Sequence, residues 1–468
     1  MQGQSITINN ISEQVVGINK MVPLLNGKKT RYVYLDNAAS TPTLKPVLSS
    51  LNAFMEWYSN IHRGTGFKSQ ISTYYFEQAR KIVAEFFNVN LEEHLVIFGK
   101  NGTEAINKLA HRVPLADDCI ILVTKMEHHS NDLPWRFRRP VVHVAVDNQG
   151  RLDWEDFERK LQEYKGKVGL VAVTGASNVT GFINDVHKIA ELTHDNGAKI
   201  MVDAAQLVPH RKIDIKSPGH PQHLDFLAFS AHKIYAPFGL GVLITDKSMF
   251  EDGDPDMVGG GTVDLVSDDY AYWTAAPEKE EAGTPNVAGA IALAKALSVI
   301  NEIGMDNIAE HEAMLTKYAL QQLKKIPGLV FYGSVDESDV PMRLGVISFN
   351  VHNLPHALVG AILNYEGGVG VRNGCFCAHP YVKCLLGVTV EETKILEEKI
   401  LSHDRSTIPG AVRVSFGMYN TKDEVDRMID ILKVIAAGRY EGEYELFAET
   451  GEYTAKNFKI DFNDYYKF

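Results

Sequence analysis

The sequence is poor in cysteine: four cysteines occur among 468 residues, too few to build a disulfide scaffold. It also lacks any apolar run of the roughly 20 residues that are needed to span a bilayer. The first residues, MQGQSITINNISEQ, have neither the basic start nor the apolar core of a secretory signal. These absences predict a cytoplasmic protein in a reducing compartment, with no membrane segment.

An excess of positive charge is also missing, since 59 acidic residues outnumber 47 basic ones and give a formal net charge of −12. Such a surface has no general attraction for nucleic acid or for anionic lipid. We therefore expect no nucleic-acid partner and no membrane partner. The hydrophobic fraction of 45% is ordinary for a globular protein, and 468 residues suffice for two or three domains.

Short apolar runs alternate with amphipathic stretches from about residue 95 to residue 245. Runs rich in Val, Ile and Leu are typical of strands that are buried on both faces of a mostly parallel sheet. The predicted strands are residues 94–99, 119–124, 141–146, 169–174, 199–204, 225–230 and 239–245. Helical patterns lie between them, so the sequence favours an α/β fold with an open, mostly parallel sheet.

The character of the sequence changes after about residue 300, where long helical stretches flank the strand-like segments RLGVISFNV and AVRVSFG. We interpret residues 31–300 as a large α/β domain and residues 301–437 as a smaller α+β domain. Residues 1–30 are taken as an N-terminal segment, and residues 438–468 as an acidic, aromatic C-terminal extension.

Polar residues cluster at the predicted carboxyl ends of these strands, where open α/β sheets bind their ligands. They are Gly102, Thr103, His128, His129, Asn178, Asp203, Ser230, His232 and Lys233. A lysine and an aspartate on neighbouring strands suit pyridoxal phosphate, because Lys233 can form the imine and Asp203 can keep the pyridinium nitrogen protonated. Gly102 and Thr103, at the start of a helix, offer N–H groups and a hydroxyl to a phosphate dianion.

Each of these residues also has an ordinary structural explanation. An aspartate that closes a strand is commonly a helix cap, and a serine is commonly a turn former. Adjacent histidines on an extended segment point in opposite directions, so His128 and His129 are not expected to bind one metal ion, and no metal site is predicted. The joint occurrence of the set at strand ends is what favours the cofactor.

The segments VDAAQLVPH and LDFLAFSAHKIYAPFGLGVL resemble the signature of class V aminotransferases, which have the fold called PLP fold type I. Six further segments follow the order seen in cysteine desulfurases of the SufS/CsdA type: YLDNAASTP, NIHRGTG, GTE, EHHSNDLPW, SNVTG and AGTPN. The resemblance covers about residues 31–435. It implies pyridoxal phosphate as the cofactor, a fold of a large and a smaller domain, and a homodimer.

By position, the resemblance also implies the roles of individual residues. Lys233 carries the cofactor, Asp203 pairs with its pyridinium nitrogen, and His128 stacks on its ring. The other implied cofactor contacts are Gly102, Thr103, Asn178, Gln206, Ser230 and His232, together with Thr284 from the second subunit. The implied substrate contacts are Asn178, Arg372 and Arg413, of which the arginine at 413 suits a carboxylate because its planar fork pairs bidentately.

The stretch VRNGCFCAHPYV (371–382) indicates the reaction. Desulfurases of this type carry a cysteine before Ala-x-Pro, where Cys377 stands. The resemblance therefore implies that the Cys377 thiolate takes the sulfur of L-cysteine, leaving L-alanine and an enzyme persulfide. Such a nucleophile needs thiolate character and access.

Two features depart from the SufS/CsdA pattern. Cys375 and Phe376 stand where the family commonly has histidines, and GCFC resembles the corresponding loop of molybdenum-cofactor sulfurases. In addition, 35 residues separate Cys377 from Arg413, because residues 383–410 form an insertion. The insertion is expected to contain a helix, and it either docks a sulfur-acceptor protein or is a structural elaboration.

Other functions stay open on this sequence. A different class V enzyme, such as an aminotransferase, a selenocysteine lyase or an epimerase, would leave the cysteines incidental. A non-enzymatic scaffold in sulfur trafficking is disfavoured, because Lys233, Asp203 and Arg413 are all present. Cys375 is either a spectator or a thiol that resolves the persulfide.

Overall fold

A seven-stranded sheet forms the centre of the computed structural model, which describes residues 5–468. In spatial order its strands are His94–Gly99, Gly241–Asp246, Phe226–Ser230, Lys199–Asp203, Val168–Thr174, Ile120–Thr124 and Val141–Val144. The second strand runs antiparallel to both of its neighbours, and the remaining neighbours pair in parallel. The predicted mostly parallel sheet is confirmed, with strand ends shifted by no more than two residues.

Both faces of this sheet are buried, as the apolar runs of its strands predict. In the strand His94–Gly99, Val96 and Phe98 enter one apolar cluster, whereas Leu95 and Ile97 enter a second one. Successive side chains of a strand point to opposite faces, so the two clusters lie on opposite faces of the sheet. Helices cover them: Lys45–Met55, Phe67–Phe86, Gly102–Arg112, Leu133–Arg136, Trp154–Glu163, Val186–Asp195 and Val287–Ile303.

A second, fully antiparallel sheet follows in the later part of the chain. Its strands, in spatial order, are Leu329–Tyr332, Val346–Val351, Ala411–Ser415 and Arg372–Gly374. The accompanying helices are Met305–Leu323, His356–Gly367, His379–Leu385, Val390–Leu401 and Lys422–Ala436. This sheet has an apolar core of its own, which also takes in Val33 and Leu35 from the start of the chain.

The remaining strands are short and pair locally: Met21–Pro23 with Lys29–Arg31, Val33–Tyr34 with Val369–Gly370, Val263–Val266 with Ala271–Trp273, and Tyr444–Phe447 with Glu452–Ala455. The last pair belongs to the C-terminal extension, which packs on the body through a hydrogen bond of 2.8 Å from Tyr444 Oη to Glu366 Oε1. The predicted domain boundaries stay a prediction, and residues 1–4 of the predicted N-terminal segment lie outside the described residues.

The insertion 383–410 contains the predicted helix, Val390–Leu401. Thr389 and Glu392 form a capping box that fixes its N-terminus, but none of its side chains is buried. The helix therefore has a fixed N-terminus but no fully buried apolar face.

Within residues 5–468, no single helix combines the length and the apolar composition that crossing a bilayer requires. Val287–Ile303 and Met305–Leu323 satisfy that test only when they are taken together, and they are bent by 77° relative to each other.

Candidate active site

A cavity of about 280 Å³ lies at the carboxyl ends of the strands Lys199–Asp203 and Phe226–Ser230. It brings together twelve of the thirteen predicted site residues: Gly102, Thr103, His128, Asn178, Asp203, Gln206, Ser230, His232, Lys233, Arg372, Cys377 and Arg413. Thr284 is the exception. It lines a larger cavity of about 610 Å³, beside Arg63 and Gly261, so a single chain does not bring it to Lys233.

Lys233 and Asp203 follow adjacent parallel strands, and the register pairs Asp203 with Ala228. Lys233 ends the short turn Ala231–Lys233 that follows the second of these strands. Burial lowers the pKa of Lys233 and raises that of Asp203, while the charge of each group opposes the shift of the other. Lys233 and Asp203 both line the cavity, which thus holds an amine together with a buried carboxyl.

The helix Gly102–Arg112 begins at the wall of this cavity, with the Asn101 side chain accepting a hydrogen bond of 2.9 Å from the Glu104 N–H. The Gly102 N–H donates to Ser230 Oγ at 2.7 Å. A Cβ atom on Gly102 would lie 2.8 Å from that oxygen, so the close approach requires glycine. The positive end of the helix, beside Thr103, offers a binding place for an anion.

Glu127 ties the turn before the next helix to the sheet. Its buried carboxyl accepts hydrogen bonds from the Thr174 N–H at 2.8 Å, from Thr124 Oγ1 at 2.5 Å and from Asn131 Nδ2 at 2.7 Å. Burial raises the pKa of Glu127 to about 8, against the lowering effect of these bonds. The turn that carries His128 is therefore anchored by a carboxyl that is largely protonated at pH 7.

His128 faces Lys233 as a neutral ring. Burial, the charge of Lys233 and the neighbouring His129 together lower the pKa of His128 to about 3. The Ser130 N–H donates to His128 Nδ1 at 3.1 Å, which leaves the ring proton on Nε2. An uncharged, fixed imidazole at this place suits stacking against a flat ligand ring.

Cys377 lies on a strained loop. Phe376 and Cys377 both have positive φ, +52° and +54°, which side-chain-bearing residues rarely adopt and which persists only where the surroundings hold it. Asn178 Nδ2 donates to the Phe376 carbonyl at 2.7 Å, and the His129 N–H donates to the Cys377 carbonyl at 2.8 Å. The loop is thus fixed from two sides, and it presents Cys377 exposed to solvent at the cavity.

Cys375, the other cysteine of the loop, lies in a different environment. Cys375 is buried, and its thiol donates a hydrogen bond of 2.9 Å to the Pro409 carbonyl. Burial raises the pKa of Cys375 to about 11, so it remains a thiol at neutral pH. It has neither the access nor the thiolate character of a nucleophile.

Arg413 is buried at the junction of the two sheets. Its Nη2 atom donates to Asp36 Oδ1 at 2.8 Å and its Nη1 atom to the Asn178 carbonyl at 3.0 Å, while its Nε atom has no partner within residues 5–468. Arg372 is more exposed and lies 3.9 Å from the same aspartate. The two arginines give the cavity a positive wall, partly offset by Asp36.

Asp36, Glu127 and His379 were not predicted from the sequence as parts of this site, and His129 was named beside His128 without a role of its own. The rings of His129 and His379 stack, with centroids 4.8 Å apart and an interplanar angle of 8°. His129 Nε2 lies 3.0 Å from His379 Nδ1, and it accepts a hydrogen bond of 3.2 Å from the His379 N–H. All four stand inside the quoted motifs, but only their contacts in the folded chain reveal a role.

The sequence model of the family described as aminotransferase class-V matches residues 33–428. The chain is similar to a probable cysteine desulfurase of Pyrococcus abyssi, with 35% identity over 427 residues, 89% of this chain and 96% of that protein. It is also similar to a probable cysteine desulfurase of Halalkalibacterium halodurans, with 34% identity over 422 residues, 88% of this chain and 95% of that one.

Two solved structures resemble the fold. The apo cysteine desulfurase of Thermococcus onnurineus has a TM-score of 0.78 and 32% identity, covering 93% of this chain and 100% of its own. The cysteine desulfurase CsdA of Escherichia coli has a TM-score of 0.75 and 27% identity, covering 94% of this chain and 100% of its own. The expected fold, PLP fold type I, is confirmed by these neighbours.

Glu127 should make the protein lose stability as the pH rises. Its pKa in the folded protein, about 8, lies above the ordinary value of 4.5, so the stabilisation is complete below pH 4.5 and is lost as the pH rises through 8. Between pH 5 and pH 9, the free energy of unfolding measured with urea should fall by about 1–4 kcal/mol less in Glu127→Gln than in the wild type. Glu92→Gln, a change at an exposed residue, should show the same dependence of the free energy of unfolding on pH as the wild type. The same dependence in Glu127→Gln would contradict the raised pKa of Glu127.

Replacing His129 should loosen the cysteine loop. His129→Ala removes the acceptor of both contacts from His379, and a hydrogen bond contributes about 1 kcal/mol, equivalent to roughly fivefold faster opening. Hydrogen exchange of the amides of residues 375–379 measures this rate. His111→Ala, an exposed histidine on a neighbouring helix, is the control; equal exchange in the two variants would refute the role of the stacked pair.

Proposed function

Because the chain belongs to the class V aminotransferase family, whose members use pyridoxal phosphate, we propose that it is a cysteine desulfurase that forms a persulfide on Cys377. One observation carries the proposal: an exposed thiol on a fixed loop lines the same cavity as a lysine amine and a buried aspartate. An aminotransferase or an epimerase has no use for a thiol at this position. The similarity to curated desulfurases over most of the chain supports the same reaction.

The residues of the cavity fit pyridoxal phosphate. Lys233 offers the amine that would hold it, Asp203 the carboxyl for its ring nitrogen, and the start of the helix Gly102–Arg112, with Thr103, a place for its phosphate. Gln206, Ser230 and His232 line the same wall. When bound, the cofactor supplies an electron sink that weakens bonds around the α-carbon of an amino acid.

The chain's own groups then position the substrate and move protons. Arg413 and the side-chain amide of Asn178 line the cavity with N–H donors, where the carboxylate of L-cysteine would bind, and Arg372 adds charge. The Lys233 amine is the group at this place that can hold and release a proton, because burial lowers its pKa. The neutral His128 would cover the ligand without adding charge.

Sulfur transfer is the task assigned to Cys377. Its Sγ attacks the sulfur of the substrate, so that an S–S bond forms and the bond between the substrate sulfur and its β-carbon breaks. The β-carbon keeps the electron pair and takes up a proton, which balances the proton that the Cys377 thiol lost. L-Cysteine and the thiol thus give L-alanine and a persulfide, and Cys375, buried and protonated, takes no part.

Cys377→Ser should lower sulfide release from L-cysteine by at least about 100-fold, equivalent to ~2.7 kcal/mol of activation free energy. The visible absorbance of bound cofactor should remain, because Lys233 is untouched. Sulfide and alanine are measured together, in the presence of a dithiol reductant that frees the sulfide. Cys384→Ser, which removes another exposed cysteine, is the control.

Two outcomes would overturn the proposal. Full sulfide release by Cys377→Ser would remove the persulfide assignment. Amino transfer to a keto acid without sulfide release, or a preference for selenocysteine over cysteine as the substrate, would indicate another activity of the same family.

We also propose that the protein is a cytoplasmic homodimer that passes its sulfur to an acceptor protein. The cavity with Thr284 is bordered by segments near residues 57–75 and 257–274 that expose large apolar side chains, namely Trp57, Phe67, Tyr74, Tyr75, Met257, Val258, Leu265, Val266, Tyr270 and Tyr272. A group of exposed apolar side chains of this kind is typical of a subunit interface. The helix Val390–Leu401 of the insertion, none of whose side chains is buried, supports docking of an acceptor on the insertion.

Sedimentation equilibrium should give a mass of about twice 52.0 kDa. Phe67→Glu combined with Tyr272→Glu should shift the protein to a monomer, because two charges would be buried in the interface without partners. Phe137→Glu, which changes an exposed phenylalanine away from the cavity with Thr284, should leave the mass unchanged. A monomeric wild type would refute the dimer.

A further inference from the structure

Three potential metal ligands meet at the end of the central sheet opposite to Lys233. His94 begins its strand and Asp246 ends the neighbouring antiparallel strand, where the two residues are direct partners in the register. His223 lies in the loop before Phe226–Ser230. Both histidines are 2–3% exposed, and Asp246 is 9% exposed. Because the strands rise about 3.3 Å per residue, the group lies on the order of 15 Å or more from the cavity with Lys233.

The ligand atoms of the three residues converge. Asp246 Oδ1 lies 2.7 Å from His223 Nε2 and 3.7 Å from His94 Nε2, and all three atoms lie within 4.8 Å of one another. Around a tetrahedral Zn²⁺ with bonds of about 2.1 Å, neighbouring ligand atoms are about 3.4 Å apart. Small side-chain movements, of about 0.7 Å for the closest pair, would therefore accommodate the ion.

The backbone fixes which nitrogen of each ring is available. His94 Nδ1 lies 3.2 Å from the Asn90 carbonyl, and His223 Nδ1 lies 3.2 Å and 3.1 Å from the carbonyls of Ile215 and Lys216. A carbonyl oxygen can only accept, so both Nδ1 atoms must carry a proton. In the neutral rings the lone pairs are then on Nε2, and both point toward Asp246. Metal-binding histidines are oriented in this way, with the second nitrogen donating to a carbonyl.

One of these lone pairs has nothing to bind. His94 Nε2 is buried and has no hydrogen-bond partner within residues 5–468. Leaving such an atom without a partner costs about 1–3 kcal/mol. An ion pair between His223 and Asp246 alone would explain those two residues, but it would leave His94 unsatisfied. A cation bound by all three residues satisfies every one of the ligand atoms.

We infer that His94, His223 and Asp246 form a binding site for a divalent transition-metal ion, with Zn²⁺ the best match to two imidazoles and one carboxylate. Glu93 lies close enough to influence His94 electrostatically, and its negative charge favours a cation. The ion would bridge two adjacent strands and the loop of His223, far from the proposed sulfur chemistry. Its expected role is to hold the two strands and the loop of His223 together at this end of the sheet, independently of the desulfurase reaction.

The test uses the full-length protein with its cofactor bound, after dialysis against a chelator and alkylation of exposed thiols. Zn²⁺ alone is titrated in competition with a chromophoric chelator. We expect one ion per chain, and at least about tenfold weaker binding in His94→Asn and in His223→Asn. Wild-type protein should also show a Zn²⁺-dependent rise in melting temperature that both variants lose.

Two control variants separate this site from other histidine–acid groups. His194→Asn breaks a comparable contact, His194 Nε2 to Asp225 Oδ2 at 2.9 Å, which no third potential metal ligand joins in the described part of the chain. His62→Asn disrupts the group of His62, Glu77 and Glu278, the other set within residues 5–468 with three converging ligand atoms. Binding should be unchanged in both.

Absence of saturable Zn²⁺ binding, or undiminished binding in His94→Asn, would overturn the inference. If a variant fails to fold, anomalous scattering from a Zn²⁺-soaked crystal of the wild type decides the question. A peak between His94, His223 and Asp246 supports the site, and a peak only elsewhere refutes it. Zn²⁺ binding and sulfide release are measured independently. Failure of the metal site and failure of the proposed reaction are therefore distinguishable.

Discussion

The buried ion pair between Arg413 and Asp36 holds the proposed active site together. Arg413 belongs to the second sheet and Asp36 to the start of the chain, and the same guanidinium donates to the Asn178 carbonyl beyond the central sheet. Its cation also lies 4.8 Å from the centre of the Phe376 ring, on the cysteine loop. A buried guanidinium needs partners to offset its loss of hydration, and here those partners come from three separate segments besides the strand of Arg413 itself. The cavity exists only where these segments meet.

The cysteine loop depends on that junction. Its two positive φ angles cost free energy, which the contacts from Asn178, His129 and Arg413 offset. The result is one exposed thiol and one buried thiol only two residues apart, with very different access and, for Cys375, a pKa raised by burial. A difference in environment, not in residue type, thus separates the proposed nucleophile from its neighbour.

The central sheet supports chemistry at both of its ends. At the carboxyl ends of the parallel strands, helix starts and polar residues surround Lys233, as expected for an α/β fold. At the opposite end, the one antiparallel strand brings Asp246 beside His94, an arrangement that an all-parallel sheet would not produce. The reversal of a single strand therefore underlies the proposed metal site.

The sequence by itself determined the class of fold and most members of the site. Buried parallel strands carry continuous apolar runs, and motifs such as SAHK and VDAAQ place Lys233 and Asp203 at strand ends, because these signals are local. What only the tertiary structure decided depends on contacts between residues far apart in the chain. The pairing of Asp36 with Arg413, the stacking of His129 on His379 and the grouping of His94 with His223 and Asp246 are of this kind. Spacing along the chain carries no information about such distances, since they arise only when separate strands and loops pack together.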